Sequence, residues 1–252
     1  MPSSRSFRPA LLASMLLAPL AALAQPAQTS AAARQYQAMQ TLKTMAASTK
    51  RPAIGEIASL VRSANNPDVL VGMAAMTPRQ ALRICGFAEH AVLVSSDMIA
   101  DGANRTVLQR MAPAWNDAKV FALECTARYV SLLGTSMARQ PDAQRTDDYL
   151  PPLRIHAELL LRDYARVSVI VASPGTPLMQ RQSILREALP AANMAVRSLS
   201  LHSRAQHQKN VQQQVNQVAN ADKSLVTPLL AVFNTTECND ACKLLNTQPA
   251  TL

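Results

Sequence analysis

Glycine is scarce, with six residues in 252, and aromatic side chains make up only 4% of the chain. Sheet proteins draw on alternating β-branched and aromatic residues between glycine-rich turns. No run longer than Val167 to Val171 answers that description, which excludes sheet architectures. Catalytic signatures are also missing: there is no nucleophile elbow, phosphate loop, metalloprotease helix or haem-attachment motif. The four histidines, His90, His156, His202 and His207, are scattered. His202 and His207 are five apart and fall off a common helical face, so no metal site is expected and no cofactor is implied. Beyond the N-terminal run no apolar stretch suits a membrane span of ~20 residues. The most apolar one, Leu159 to Ser173, is broken by Arg162, Asp163 and Arg166.

The first residues carry the three parts of an export signal. Arg5 and Arg8 form a basic start, Ala10 to Leu23 is uncharged and interrupted by Pro19, and Ala22-Leu23-Ala24 is a small-x-small cleavage site before Gln25-Pro26. The competing reading is an uncleaved anchor. No cysteine follows the cleavage site, which argues against a lipid anchor. Residues 1–24 are therefore read as a secretory signal peptide and the protein as periplasmic or secreted; the alanine-rich composition points to a bacterial source. Cleavage leaves 228 of the 252 residues and, by removing Arg5 and Arg8, takes the net charge from +9 to +7. A basic surface favours anionic partners: acidic proteins, acidic polymers or lipid headgroups. Nucleic acid ranks last for an exported chain.

What is abundant is helix-forming: Ala, Leu, Gln, Arg and Met. Leu108, Met111, Trp115, Ala118, Ala122, Cys125, Tyr129 and Leu132 alternate spacings of three and four, a seam along one helix. Leu153, Ala157, Leu160, Tyr164, Val167 and Val171 repeat it. A third seam, Leu185, Ala188, Ala192, Val196 and Leu199, continues as Val211, Val215 and Val218. Gln80 to Val94, apolar on most sides, is expected to be the most buried helix. Thr77-Pro78 and Thr176-Pro177 read as N-caps followed by proline at the first helical position. Asn65-Asn66-Pro67, Asp101 to Asn104, Pro141 to Pro152 and Ser173-Pro174-Gly175 read as turns or loops. Pro113 and Pro190 are expected to kink or restart their helices. The fold class is all-α: an antiparallel helical bundle of six to eight helices with a disulfide-stapled central hairpin. Its organisation is an N-terminal helical segment at 25–76, a main bundle at 77–223 and a C-terminal cysteine-containing helical segment at 224–252.

Four cysteines in an exported chain suggest two bridges, with three possible connectivities. Cys85 and Cys125 are centred on residue 105, beside the turn at 101–104. An antiparallel hairpin would bring them level, and a bridge there would contribute roughly 3–4 kcal/mol. Cys238 and Cys242 remain. Residues four apart in a regular helix sit about 5–6 Å apart at Cβ, too far for a bridge, so the pair requires a distorted turn at a helix start. It is read first as a structural staple. The sharper reading is a reducible redox pair, disfavoured by the three intervening residues and the absence of a preceding strand.

Several other features invite function. Glu124, beside Cys125, is the candidate for a lone general acid. His156 and Glu158 read as a solvated first turn, and Asp147-Asp148 as loop residues. Arg34 to Arg51 carries Arg34, Lys43, Lys50 and Arg51 without an acidic residue. It suits either an anionic surface or packing on the bundle through Tyr36, Met39, Leu42 and Met45. Gln206 to Asn220 is polar round most of its circumference and reads as a coiled-coil-like extension or a partner helix. Asn104 and Asn234 begin glycosylation sequons, relevant only in a eukaryotic source. Three functions are open. The first is an exported, non-enzymatic interaction protein with a protein partner in the cell envelope, an accessory of an assembly or secretion/transfer system. The second is a periplasmic binding protein for an anionic or lipidic small molecule. The third is a cell-wall hydrolase using Glu124.

Overall fold

A computed structural model describes residues 30–49, 52–100, 102–141 and 150–247. The export signal at 1–24, Lys50, Arg51, Asp101 and Asp147-Asp148 lie outside these residues. The helical preference of the composition is realised throughout: nine α-helices and no strand occur among the described residues. They are α1 (Ala31–Ala46), α2 (Ile54–Ala64), α3 (Pro78–Ala100), α4 (Arg105–Ala138), α5 (Leu150–Ala172), α6 (Leu178–Arg197), α7 (Arg204–Asn216), α8 (Lys223–Ala231) and α9 (Asp240–Asn246).

Local chemistry sets most boundaries. Thr77 and Gln80 form a reciprocal capping box at α3: the Gln80 N–H donates to Thr77 Oγ1 at 3.3 Å and the Thr77 N–H to Gln80 Oε1 at 2.9 Å. Asn104 caps α4 by accepting from the Val107 N–H at 3.0 Å. Asn66 accepts from the Asp68 N–H at 2.9 Å and opens a 3₁₀ turn at Pro67–Leu70. Pro177 is itself the N-cap of α6, one position later than Thr176-Pro177 suggested. Pro151 and Pro152, expected in a loop, stand in the first turn of α5, where no intrahelical N–H is needed. Neither Pro113 nor Pro190 restarts a helix, since α4 and α6 run through them.

α4 is the axis of the bundle. Its 34 residues extend about 50 Å at 1.5 Å per residue. α2, α3, α5, α6 and α9 all pack against it. Fourteen of its 34 residues are buried, against six of 23 on α3 and twelve of 23 on α5. α4 therefore contributes more buried residues than any other described helix, α5 buries the larger share of its own length, and Gln80 to Val94 leads on neither count. Small residues on several faces, Ala114, Ala118, Ala127 and Gly134, let neighbours approach from more than one side. Two apolar clusters are strung along it. Met39, Leu42, Ile57, Val61 and Ile99 surround Met111 near its start, whereas Leu153, Leu160, Ile184, Val196 and Val215 surround its second half. The residues from Ala31 onward cluster as one compact unit, to which the N-terminal, main and C-terminal stretches all contribute.

The expected staple is present: Cys85 and Cys125 are disulfide-bonded with Cα atoms 5.5 Å apart. Trp115 Nε1 donates to Ser95 Oγ at 3.0 Å and ties the same hairpin nearer its turn. The C-terminal segment docks on α4 at Gly134, where a Cβ would collide with the Ala241 backbone.

The glutamine-rich stretch is not an extension. The third seam stops at Arg197, turns through Leu201–Ser203 and resumes as α7, which folds back on α5. Val211 and Val215, two residues one turn apart, are buried and suffice to hold it there. α1 likewise packs on α2 and α3, burying Gln35, Ala38, Met39 and Leu42.

Candidate functional site: a charged groove over α4

α3 and α5 each pack on α4 but scarcely on one another. A groove of about 350 Å³ lies between them, open to solvent. Its floor is Ala118 and Ala122 of α4, with Ala88 and Val92 at the foot of α3. Short side chains on the central helix leave the space that larger ones would fill. The walls carry charge: Glu89 on α3, Lys119 on α4, and Arg162, Asp163 and Arg166 on α5. Leu93, 61% exposed, forms an apolar rim. Leu82 and Ile155 are also exposed and stand two helical turns before Glu89 and Arg162, continuing the same two helix faces.

The charged groups form a network. Arg162 pairs with Glu89 across the groove. Asp163, 3% exposed, accepts from Arg166 Nη1 at 3.3 Å and from Thr126 Oγ1 at 3.2 Å. Burial raises its carboxyl to about 6, Glu89 adding to the rise and Arg162, Arg166 and Thr126 opposing it. Burial also lowers the Lys119 ammonium, and the neighbouring Arg166 charge lowers it further. Among the described residues no hydrogen bond or ion pair reaches that ammonium. Three cations thus share the groove with two carboxylates: Arg162 and Arg166 are paired with Glu89 and Asp163, and Lys119 faces it beside them.

Glu124 lies in a second cleft of about 460 Å³, with Arg62, Asp117 and Glu187. Its Oε1 accepts two hydrogen bonds from Arg128, at 3.0 and 2.7 Å, the arrangement of an ion pair. The carboxyl displaced upward in this cleft is Asp117, chiefly by burial. A third cleft, about 590 Å³, lies between α1 and α3. Tyr36 and Phe87 meet edge-on there at 6.0 Å. Gln35 lines it, its Nε2 donating to the carbonyls of Ala64 and Ile84 while Oε1 has no partner.

His156 is not in a solvated first turn. α5 starts at Leu150, and the imidazole packs edge-on against Tyr129 at 4.7 Å. Burial lowers its pKa, and that of His207. Among the described residues no cluster of three or more His, Cys, Asp or Glu could hold a metal ion, and no helix is long and apolar enough to cross a membrane. The groove residues were overlooked in the sequence because Arg162, Asp163 and Arg166 read only as interruptions of an apolar run. That interruption was itself a signal, since an aspartate inside a buried stretch is rare unless it is paired. Comparison with protein-family models, curated proteins and solved structures gives no match to this chain. The two disulfides fit an oxidising environment outside the cytosol.

Proposed function

We propose that this is an exported, non-enzymatic interaction protein of the cell envelope, periplasmic or secreted, which docks an acidic segment of a partner protein in the groove over α4. The observation that carries the reading is the convergence of Lys119, Arg162 and Arg166 around an apolar floor and rim. A helix or extended segment bearing carboxylates beside small apolar residues complements such a surface in both charge and shape. The export signal, the basic net charge and the two disulfides support the setting. The role that suits it is accessory to an assembly or secretion/transfer system. Affinity isolation from the envelope tests it: the wild type retains an acidic partner that elutes as salt rises, and the Lys119→Glu/Arg166→Glu variant loses it. Equal recovery by both proteins contradicts the reading.

A second reading, a binding protein for an anionic or lipidic small molecule, draws on the cleft between α1 and α3, where Tyr36, Phe87 and Met76 are joined by Arg83. Native mass spectrometry of protein purified from its own host tests it, a retained lipid or organic anion supporting it. The hydrolase reading gains nothing specific from the ion-paired Glu124, and no reaction is derived through it.

A further inference from the structure

The Cys238–Cys242 bridge has surroundings that a passive staple does not require. Cys238 lies just before the Asn239 N-cap of α9 and is only partly buried; Cys242 is fully buried. Arg204, 3% exposed, donates to Cys242 Sγ at 3.6 Å. Its remaining contacts are all to backbone carbonyls, those of Leu199, Thr235 and Glu237, and its Nε has no partner. Among the described residues no carboxylate pairs with this buried guanidinium. The two acids of the segment that Arg204 binds are otherwise engaged: Glu237 pairs with Arg197 at 2.7 Å and Asp240 with Lys243 at 3.3 Å. Asn246 adds a second donor. Its Oδ1 accepts from Ser200 Oγ at 2.7 Å and from the Leu201 N–H at 2.9 Å. This orientation leaves Nδ2 facing both sulfurs at 3.5 Å.

A disulfide sulfur accepts hydrogen bonds weakly, whereas a thiolate is an anion that accepts them strongly. In the oxidised protein the guanidinium has already lost its water and gained no counter-charge, a costly state. Reduction supplies the counter-charge at Cys242. A cation beside a cysteine lowers its thiol pKa, and stabilising the reduced form makes a disulfide a stronger oxidant. Burial of Cys242 acts the other way, against the adjacent charge of Arg204 and the second fixed donor of Asn246.

We infer that Cys238–Cys242 is an exchange-active disulfide that oxidises a protein or small-molecule dithiol, with Arg204 and Asn246 as positioning residues for the Cys242 thiolate. The incoming thiolate attacks Cys238 Sγ, the sulfur of the less buried cysteine. A mixed disulfide forms there, and the Sγ–Sγ bond breaks with its electron pair leaving on Cys242. The second thiol of the donor, as thiolate, then attacks the donor's own sulfur in the mixed disulfide and releases Cys238. Two electrons pass to the protein. The products are a donor disulfide, the Cys238 thiol, the Cys242 thiolate and one proton released to solvent.

The test equilibrates the purified, oxidised full chain with graded dithiothreitol buffers and quantifies each pair by alkylation and peptide mapping. The expected result is reduction of Cys238–Cys242 with an equilibrium constant at least a hundredfold above that of Cys85–Cys125. Arg204→Met is expected to lower that constant at least tenfold, ~30 mV for a two-electron couple. Because that variant loosens the loop it binds, Arg204→Lys serves beside it and retains most of the effect. In Cys238→Ser, thiolate absorbance of the remaining Cys242 is expected to titrate well below the usual ~8.5. A purely structural Arg204 would leave that titration unmoved. Reduction of Cys238–Cys242 no easier than that of Cys85–Cys125, or a Cys242 titration at or above ~8.5, overturns the inference.

Discussion

Arg162 on α5 is ion-paired with Glu89 on α3 across the groove between two helices that scarcely pack on one another. Both side chains remain nearly half exposed. The pair is a strap of little energetic weight, because exposed ion pairs contribute about 0–1 kcal/mol. Glu89→Gln is therefore expected to change stability by less than about 1 kcal/mol. It also frees Arg162 and removes a negative charge, so an acidic partner segment binds more tightly. Thermal unfolding and a binding titration with the isolated partner segment check the two halves separately.

Asp163 makes stability depend on pH. Its folded value, about 6, lies above the ordinary 3.8. A raised folded value means the stabilisation is complete below the unfolded value and is lost as pH rises through the folded one. Between about pH 4 and 6 this residue alone makes the protein less stable as pH rises, by up to about 3 kcal/mol in full. His156 and His207, whose values burial lowers, slope the opposite way. Asp163→Asn isolates the carboxylate: stability at pH 7.5 rises relative to wild type, while at pH 4 the two proteins converge. Urea unfolding at the two pH values checks it.

The α3–α4 hairpin depends on its staple. Replacing both Cys85 and Cys125 by alanine is expected to cost about 3–4 kcal/mol, the chain-entropy value for a loop of this length. Cys238 and Cys242 close only a short loop, so their replacement costs less. Denaturant midpoints of the two double variants, each with the other bridge intact, give the comparison.

Gly134 sets the seat of α9. A Cβ there would meet the Ala241 backbone nitrogen and Cα rather than a yielding side chain. Gly134→Ala is expected to lose about 1–3 kcal/mol, as overpacking in a filled core does, despite alanine's better helix propensity. Hydrogen exchange should localise the loss to 235–246.

Much of this fold is written in local pattern. The alternation of threes and fours from Leu108 to Leu132 foretold α4, and the placing of Cys85 and Cys125 about residue 105 foretold the hairpin and its bridge. The N-cap at Thr77 was equally plain, and so was the break that ends at Asn104, though not Asn104's own role as a cap. Burial on several faces was not. A seam records one contact stripe, whereas α4 is enclosed by five neighbours whose positions are tertiary facts. The fate of the glutamine-rich stretch turned on the break at 198–203, which carries neither glycine nor proline to announce it. The groove was illegible for the same reason. Glu89, Lys119 and Arg162 come from three helices, and only packing brings them together.

Whether the groove over α4 receives an acidic segment is decided by placing a photo-crosslinking amino acid at Leu93, on the rim. Illumination in intact cells followed by mapping of the joined peptide identifies what sits there. The expected product is one partner protein, joined through a segment with net negative charge, and it is lost in the Lys119→Glu/Arg166→Glu background. A product through a basic or uncharged segment, or one that persists after the charge reversal, would contradict the reading.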